Sequence, residues 1–400
     1  MKNYMRIEFK ISDENVFLYS IKNDMKTFEC NISNNEINCN VYYDFNEKPL
    51  SLKSDIKRND TVKVILMPFR IELWVNSVLK DEEWPAGNCL FTKEDEIKSN
   101  ISISVSEHPY AKKIQPAVIG TFENANGWKP EENVFVGDCM PYVCDNRYHV
   151  LYLKDRHHHR SKWGNGAHQW EHISTHDFKT WEIHPMAIEI TESYEGSICT
   201  GSWIKKDNTD YLFYTVRMAD NSPAPIRRSI SKDGYHFDKD NDFSIILSKK
   251  YNAKSARDPK VILADDCLYH MFLTTSLEAE QKGCLAHLIS KDLYKWEETE
   301  NPIYISDSSE QPECPDYIKY NGYYYLIFSL RGRAHYMISQ KPLDGWIMPE
   351  NPIIPCDLVP KGAVWNDKII FTGFKPINAY AGTMTFAAAV NDENGILIFE

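Results

Sequence analysis

From residue 133 onward the sequence repeats itself, and a strand-rich repeat of about 45 to 60 residues has few ways to fold. One repeating element is an aromatic strand that follows a turn: His149-Val150-Leu151-Tyr152-Leu153, Tyr211-Leu212-Phe213-Tyr214-Thr215, Tyr269-His270-Met271-Phe272-Leu273, Tyr323-Tyr324-Tyr325-Leu326-Ile327-Phe328 and Lys368-Ile369-Ile370-Phe371. A second element follows most copies: Ile173-Ser174-Thr175-His176-Asp177 running on to Trp181, Ile230-Ser231-Lys232-Asp233, Ile289-Ser290-Lys291-Asp292 running on to Trp296, and more loosely Ile338-Ser339 to Trp346. This period matches one four-stranded propeller blade. A blade has two apolar faces and buries them only against neighbouring blades in a closed ring, so five copies predict five blades.

The N-terminal part lacks the repeat but is also rich in strand signals. Residues 5–11, 15–21, 37–43 and 61–73 are dense in β-branched and aromatic residues between Asn, Asp and Lys clusters. Residues 70–85 read as a hairpin turning near Asn76-Ser77, and no long segment holds a helical period. The expected fold class is all-β. An N-terminal β-sandwich, similar to concanavalin or laminin-G sandwiches, is expected over residues 1–112, a linker over 113–132, and a five-bladed β-propeller over 133–400. Residues 115–122 are the candidate for closing the ring by pairing with the C-terminal blade.

Charge and composition narrow the function. With 57 acidic against 45 basic residues and a net charge of −12, no basic face is available for nucleic acid. No stretch approaches a membrane span, and residues 1–17 lack the pattern of a signal peptide. Ten cysteines are scattered without metal-type spacing, as expected of reduced thiols in the cytoplasm. The aromatic fraction of 13% suits strands and sugar-facing walls alike.

Three acids hold similar places in their repeats. Asp138 lies seven residues before Asp145, Asp258 seven before Asp265, and Glu313 eight before Asn321, each leading into the first hairpin of its blade. The innermost strands of a propeller line its channel, so these carboxylates are expected to converge at one rim. Gathered carboxylates raise one another's pKa and lose hydration, and glycoside hydrolysis uses that arrangement: one carboxylate ionised, another protonated for the leaving oxygen. The other reading is a carbohydrate-binding protein whose acids only hydrogen-bond a sugar.

Arg257-Asp258-Pro259 and Glu313-Cys314-Pro315-Asp316 resemble two signatures of glycoside hydrolase family 32, the invertase and fructanase group. The stretch from Trp163-Gly164 through His168, Trp170 and His172 to Trp181 is similar to the family's first-blade segment, and Gly196-Ser197-Ile198-Cys199-Thr200-Gly201-Ser202 to its serine-glycine segment. The resemblance implies a retaining β-fructofuranosidase that acts on an oligosaccharide or sugar phosphate without a cofactor. Asp138 would be the nucleophile, Glu313 the general acid and then base, and Asp258 the transition-state stabiliser. It also implies that Arg257 touches Asp258 or the substrate, and the candidate substrate-binding residues are Arg257, Trp163, His168, Trp170, Ser197, Thr200 and Cys314. Two features depart from the family. Gly137-Asp138-Cys139 stands where a Trp-Met-Asn-Asp-Pro-type segment is usual, and the sandwich leads the propeller instead of following it. The inverting arabinosidases and xylosidases of family 43, also five-bladed, are therefore the alternative.

Other features keep two readings. Trp163, Trp170 and Trp203 are candidates either to stack on sugars or to fill space between blades. His168 and His172 suit pocket walls or blade-locking hydrogen bonds. Arg156-His157-His158-His159-Arg160 reads as a loop at the pocket mouth and not as a metal site, because consecutive side chains do not converge on one ion. Cys139, Cys199 and Cys314 read as small apolar neighbours of the acids. Arg331-Gly332-Arg333 is either an anion-binding element or an exposed loop.

Overall fold

The computed structural model describes residues 3–12, 17–24, 26–43, 49–83, 91–109, 116–130, 134–156, 168–220, 222–377 and 380–400, among which every regular element is a strand. Two compact units emerge among the described residues: Met1–Ile114 with Ile190–Gly196, and Gln115–His158 with His168–Glu189 and Ser197–Glu400.

The first unit contains two five-stranded antiparallel sheets. One runs in the order Ser104–Pro109, Asn3–Lys10, Thr61–Leu66, Ile71–Val75, Val78–Glu83; the other runs Leu50–Asp55, Glu36–Tyr43, Lys26–Ser33, Phe17–Lys22, Glu96–Ser99. Alternating residues from both sheets share one core: Ile7, Val62, Val64, Ile71 and Leu73 meet Ile21, Phe28, Cys30, Ile37, Cys39 and Leu52. The hairpin turn falls at Asn76-Ser77, both with positive φ, as a two-residue turn of matching twist requires. Residues 61–73, expected as one strand, form two. Pro68 lies in the reversal between them, which is closed by the Met67 amide donating to the Arg70 carbonyl.

The second unit is the propeller. Blade one consists of Val134–Cys144, Arg147–Arg156, Gln169–Thr175 and Thr180–Ile183; blade two of Glu195–Lys206, Thr209–Met218, Ile226–Ser231 and Asp238–Lys239. Blade three runs from Arg257–Leu263 through Tyr269–Leu277 and Lys282–Ser290 to Glu297–Glu298. Blade four contains Glu313–Tyr320, Tyr323–Leu330 and Arg333–Ser339, and blade five Leu358–Trp365, Lys368–Pro376, Gly382–Asn391 and Leu397–Phe399. The recurring Ser/Thr-x-Asp element is a turn after the third strand: Asp177, Asp233 and Asp292 each accept two following backbone amides through Oδ1.

Ring closure differs from expectation. Gly120–Glu123 pairs with Thr180–Ile183 and so extends the outer edge of blade one. A few residues later the chain does reach blade five, where Gly127 donates to the Met384 carbonyl and the Met384 amide to that of Trp128. Val136 also bridges to Gly382. Phe122 stacks on Trp128 at 4.0 Å, anchoring the segment.

Innermost strands are tied around the ring by side chains. Ser202 Oγ accepts the Val261 amide between blades two and three, Lys260 Nζ meets Asp316 Oδ1 at 2.5 Å between three and four, and Asp316 Oδ2 accepts the Gly362 amide between four and five. The fully buried Lys361 of blade five donates to the Gly201 carbonyl of blade two at 3.0 Å. Those blades are not neighbours, so this ammonium crosses the axis of the ring.

Candidate active site

Four innermost strands share one irregularity at the same level. The pairing slips between Val136 and Cys139, Arg257 and Lys260, Glu313 and Asp316, and Leu358 and Lys361, so two residues face one on the neighbouring strand. Such bulges re-aim side chains. Asp258, Cys314 and Val359 carry the bulge at positive φ, a backbone cost for non-glycine residues, and each is followed by proline. Aligned on the bulge, Glu313 holds its first position, Asp258 its second and Asp138 its third. Counting residues to the next turn had set Asp138 level with Asp258, which is one place off.

The three carboxylates nevertheless meet. Arg257 Nη2 donates to Glu313 Oε1 at 2.9 Å, and its Nε lies 3.6 Å from Asp258 Oδ2. The Cys314 amide donates to Asp258 Oδ2 at 3.1 Å, while its thiol lies 3.5 Å from Asp138 Oδ2 and 3.7 Å from Asp258 Oδ2. Thr200 Oγ1 donates to Asp138 Oδ2 and Tyr380 Oη to Asp138 Oδ1, at 2.5 and 2.7 Å. Asp138 and Asp258 are buried, and Glu313 is partly open.

Electrostatics follow from this packing. Burial alone would lower the Arg257 pKa, yet the charges of Asp258 and Glu313 outweigh it and hold the guanidinium above its ordinary range. The Cys314 thiol is pushed well up by burial and then by Asp138 and Asp258, and burial beside Asp138 does the same to Cys139. Both stay neutral fillers of small volume. Burial depresses Lys361 against the pull of Asp316.

Other expected residues divide. Ser197 Oγ accepts the His168 amide and so ties blade one to blade two. His168 Nε2 lies 3.0 Å from Asp155 Oδ1, and its ring lies 5.3 Å from that of Tyr380. Trp170 is a correction: it is fully buried, with Nε1 donating to the Cys199 carbonyl and the ring against Tyr214, so it fills space and presents no face to a sugar. Trp203 stacks on Tyr142 at 4.4 Å, and His172 is buried beside Tyr142 and His149. Arg331-Gly332 is the turn of a blade-four hairpin, with Arg331 paired to Glu310. Trp163, His157, His158, His159 and Arg160 lie outside the described residues.

Sequence reasoning missed Tyr380, Gln311, which accepts from Arg257 Nη1 at 2.6 Å, and the Lys260, Asp316 and Lys361 cluster. The cluster had a signal, since Pro259, Pro315 and Pro360 each precede one of its members. Tyr380 had none. A separate cavity of about 320 Å³ between blades one and two is lined by Tyr142, Arg147, His149, Lys205, Asp210 and Tyr235 and contains none of the three acids. Among the described residues no cluster of three or more His, Cys, Asp or Glu side chains is placed to hold a metal ion, and no helix is long and apolar enough to cross a membrane.

Residues 123–344 match the glycosyl hydrolases family 32 N-terminal domain, which is more than half of the chain. The chain belongs to glycosyl hydrolases family 32. Among its family relatives, the sucrose-6-phosphate hydrolase of Vibrio alginolyticus is 27% identical over 207 residues, 49% of this chain and 40% of that protein. The Bacillus subtilis enzyme of the same name is 29% identical over 198 residues, 46% of this chain and again 40% of its own. The chain thus spans well under half the length of these curated relatives. Fructan 1-exohydrolase IIa of Cichorium intybus, 18% identical, superposes with a TM-score of 0.56 over 68% of this chain and 60% of its own, a likeness of fold.

Proposed function

We propose that this chain is a retaining glycoside hydrolase that removes a terminal β-fructofuranosyl unit from a small oligosaccharide or its phosphate. The observation that carries this reading is the linked set of three carboxylates, joined through Arg257 and Cys314 at the bulges of blades one, three and four. Family membership and the sucrose-6-phosphate hydrolases among its relatives support the substrate class.

Asp138 is the nucleophile. Donors on both of its oxygens favour the ionised form, which must attack the anomeric carbon. Glu313 is the acid and then the base: it is the most open of the three, and its proton goes to the oxygen of the departing sugar as the anomeric bond breaks. In the second step Glu313 takes a proton from water, whose oxygen displaces Asp138 and leaves the anomeric configuration retained. Asp258, facing Arg257 and the Cys314 amide, hydrogen-bonds ring hydroxyls and offsets positive charge at the transition state. A reducing cytoplasm is the compartment this reading expects, with Cys139 and Cys314 held as buried thiols beside the acids.

The test is NMR of the first-formed anomer on sucrose, sucrose phosphate and short fructans, with Asp138→Asn and Glu313→Gln as controls. Release of the same anomer as in the substrate, and rate losses of about 10²–10⁴ in each variant, are expected. First release of the opposite anomer would transfer the reading to the inverting mechanism. Binding without any release would leave a carbohydrate-binding protein.

A further inference from the structure

Gly137 and Tyr380 are shaped to each other. A Cβ built on Gly137 would stand 2.8 Å from Tyr380 Oη, nearer than a real Cβ approaches another heavy atom. Gly137 is not among the residues with positive φ, so this glycine supplies room and not a turn. The phenol that fills the room does two things at once. It donates to Asp138 Oδ1 at 2.7 Å and lies 3.3 Å from the Asp138 amide, which donates to it. One hydroxyl therefore spans backbone and carboxylate of the same residue, while Thr200 holds the other carboxylate oxygen from blade two.

The phenol is itself held. Its ring packs edge-on against Phe374 at 5.2 Å and lies tilted against His168 at 5.3 Å, and His168 is held by buried Asp155. We propose that Tyr380 is a positioning residue for Asp138, fixing the plane of its carboxylate and favouring its charged form through a hydrogen bond that only a glycine at position 137 admits. This rests on the reading of Asp138 as nucleophile. Burial, and then the charge of Asp138, pushes the phenol well above its ordinary range, so it remains a donor across the working pH. Among the described residues, the titratable groups facing Asp138 include Cys139 on its own strand, Cys314 of blade four and Tyr380 of blade five; Asp155 faces Tyr380 from blade one. Both thiols are pushed up and carry no charge, while the Tyr380 and Thr200 hydrogen bonds each favour the ionised carboxyl.

The experiment uses the full chain, Tyr380→Phe, Gly137→Ala and the double variant. Rates on sucrose and a chromogenic β-fructofuranoside are followed across pH, and ¹³C-labelled Asp carboxyls are titrated by NMR, with Asp138→Asn identifying the Asp138 signal. Tyr380→Phe is expected to lower kcat about ten-fold with KM nearly unchanged. The acidic limb of kcat/KM and the Asp138 titration midpoint should both move up by about one pH unit. Gly137→Ala should do the same in the parent and add little in the Tyr380→Phe background; Leu153 also crowds that Cβ, so the comparison between backgrounds carries the weight. An Asp138 midpoint unmoved by Tyr380→Phe overturns the positioning role, whatever the loss of rate. A moved midpoint in a chain that cleaves no furanoside supports the positioning role and removes the hydrolase reading instead.

Discussion

Arg257 and Glu313 occupy the same bulge position in adjacent blades and meet at 2.9 Å, cation to carboxylate. The repeat brings equivalent positions of neighbouring inner strands side by side, so a charge change in one blade acts directly on the next. Arg257 also reaches Asp258, Gln311 Oε1 and the Ser255 carbonyl, which fixes the guanidinium plane.

Arg257→Ala is therefore expected to lower kcat about 10²-fold or more and to move the alkaline limb of the pH–rate profile upward. The sign follows from the cation: it favours the ionised form of a neighbouring carboxyl, and without it the acid keeps its proton to higher pH. Arg257→Lys should recover part of the charge effect but not the fork geometry. A limb that stays in place would separate Arg257 from the acid.

Thr200→Val removes a hydroxyl donor of similar volume beside Asp138 Oδ2. A kcat loss of about ten-fold is expected, restored in large part by Thr200→Ser. Equal losses in the Val and Ser variants, measured on the same substrate, would point to packing in place of hydrogen bonding.

Thiol labelling distinguishes the site cysteines Cys139 and Cys314 from the exposed Cys267. Cys267 is exposed, whereas Cys139 and Cys314 are buried with their thiols pushed well up. Peptide mapping after iodoacetamide at neutral pH should find Cys267 modified and the other two unmodified until the chain is denatured. Rapid native labelling of Cys314 would contradict its burial.

Buried histidines make stability depend on pH. Burial depresses His149 to about 3 and His287 to about 4, and it lowers His172 and His184 as well. Between those values and the unfolded value near 6.5, the unfolded chain binds more protons, so stability present above about pH 6.5 drains away as pH falls toward 4. His149 and His287 each contribute on the order of 1–3 kcal/mol to that loss, and His172 and His184 act in the same direction. Thermal unfolding should show a falling Tm from pH 7 to 5, with a shallower slope in His287→Gln. A flat profile would show these imidazoles to be protonated when folded.

The blades were legible because their signals are local: an aromatic strand after a tight turn, then a side chain capping the next turn. The hairpin at Asn76-Ser77 was legible for the same reason. The bulge is a relation between two strands and leaves no trace in residue counts, so spacing to the turn misplaced Asp138 by one. Convergence survived that error because all three bulge positions bring their acids into one linked network. Proline was the overlooked marker, since Pro259, Pro315 and Pro360 sit inside strands where a ladder would reject them. Tyr380 comes from the connection entering the strand Gly382–Asn391, outside any repeat, and only packing identifies it. Trp170 had the composition of a sugar platform, but its burial against Gly201 and Tyr214 was decided by the meeting of two blades.

Lys361, stretched from blade five to blade two, joins two blades that share no edge. A strut of that kind couples opposite sides of the ring, so a change that loosens one blade is felt by the other without passing through those between them.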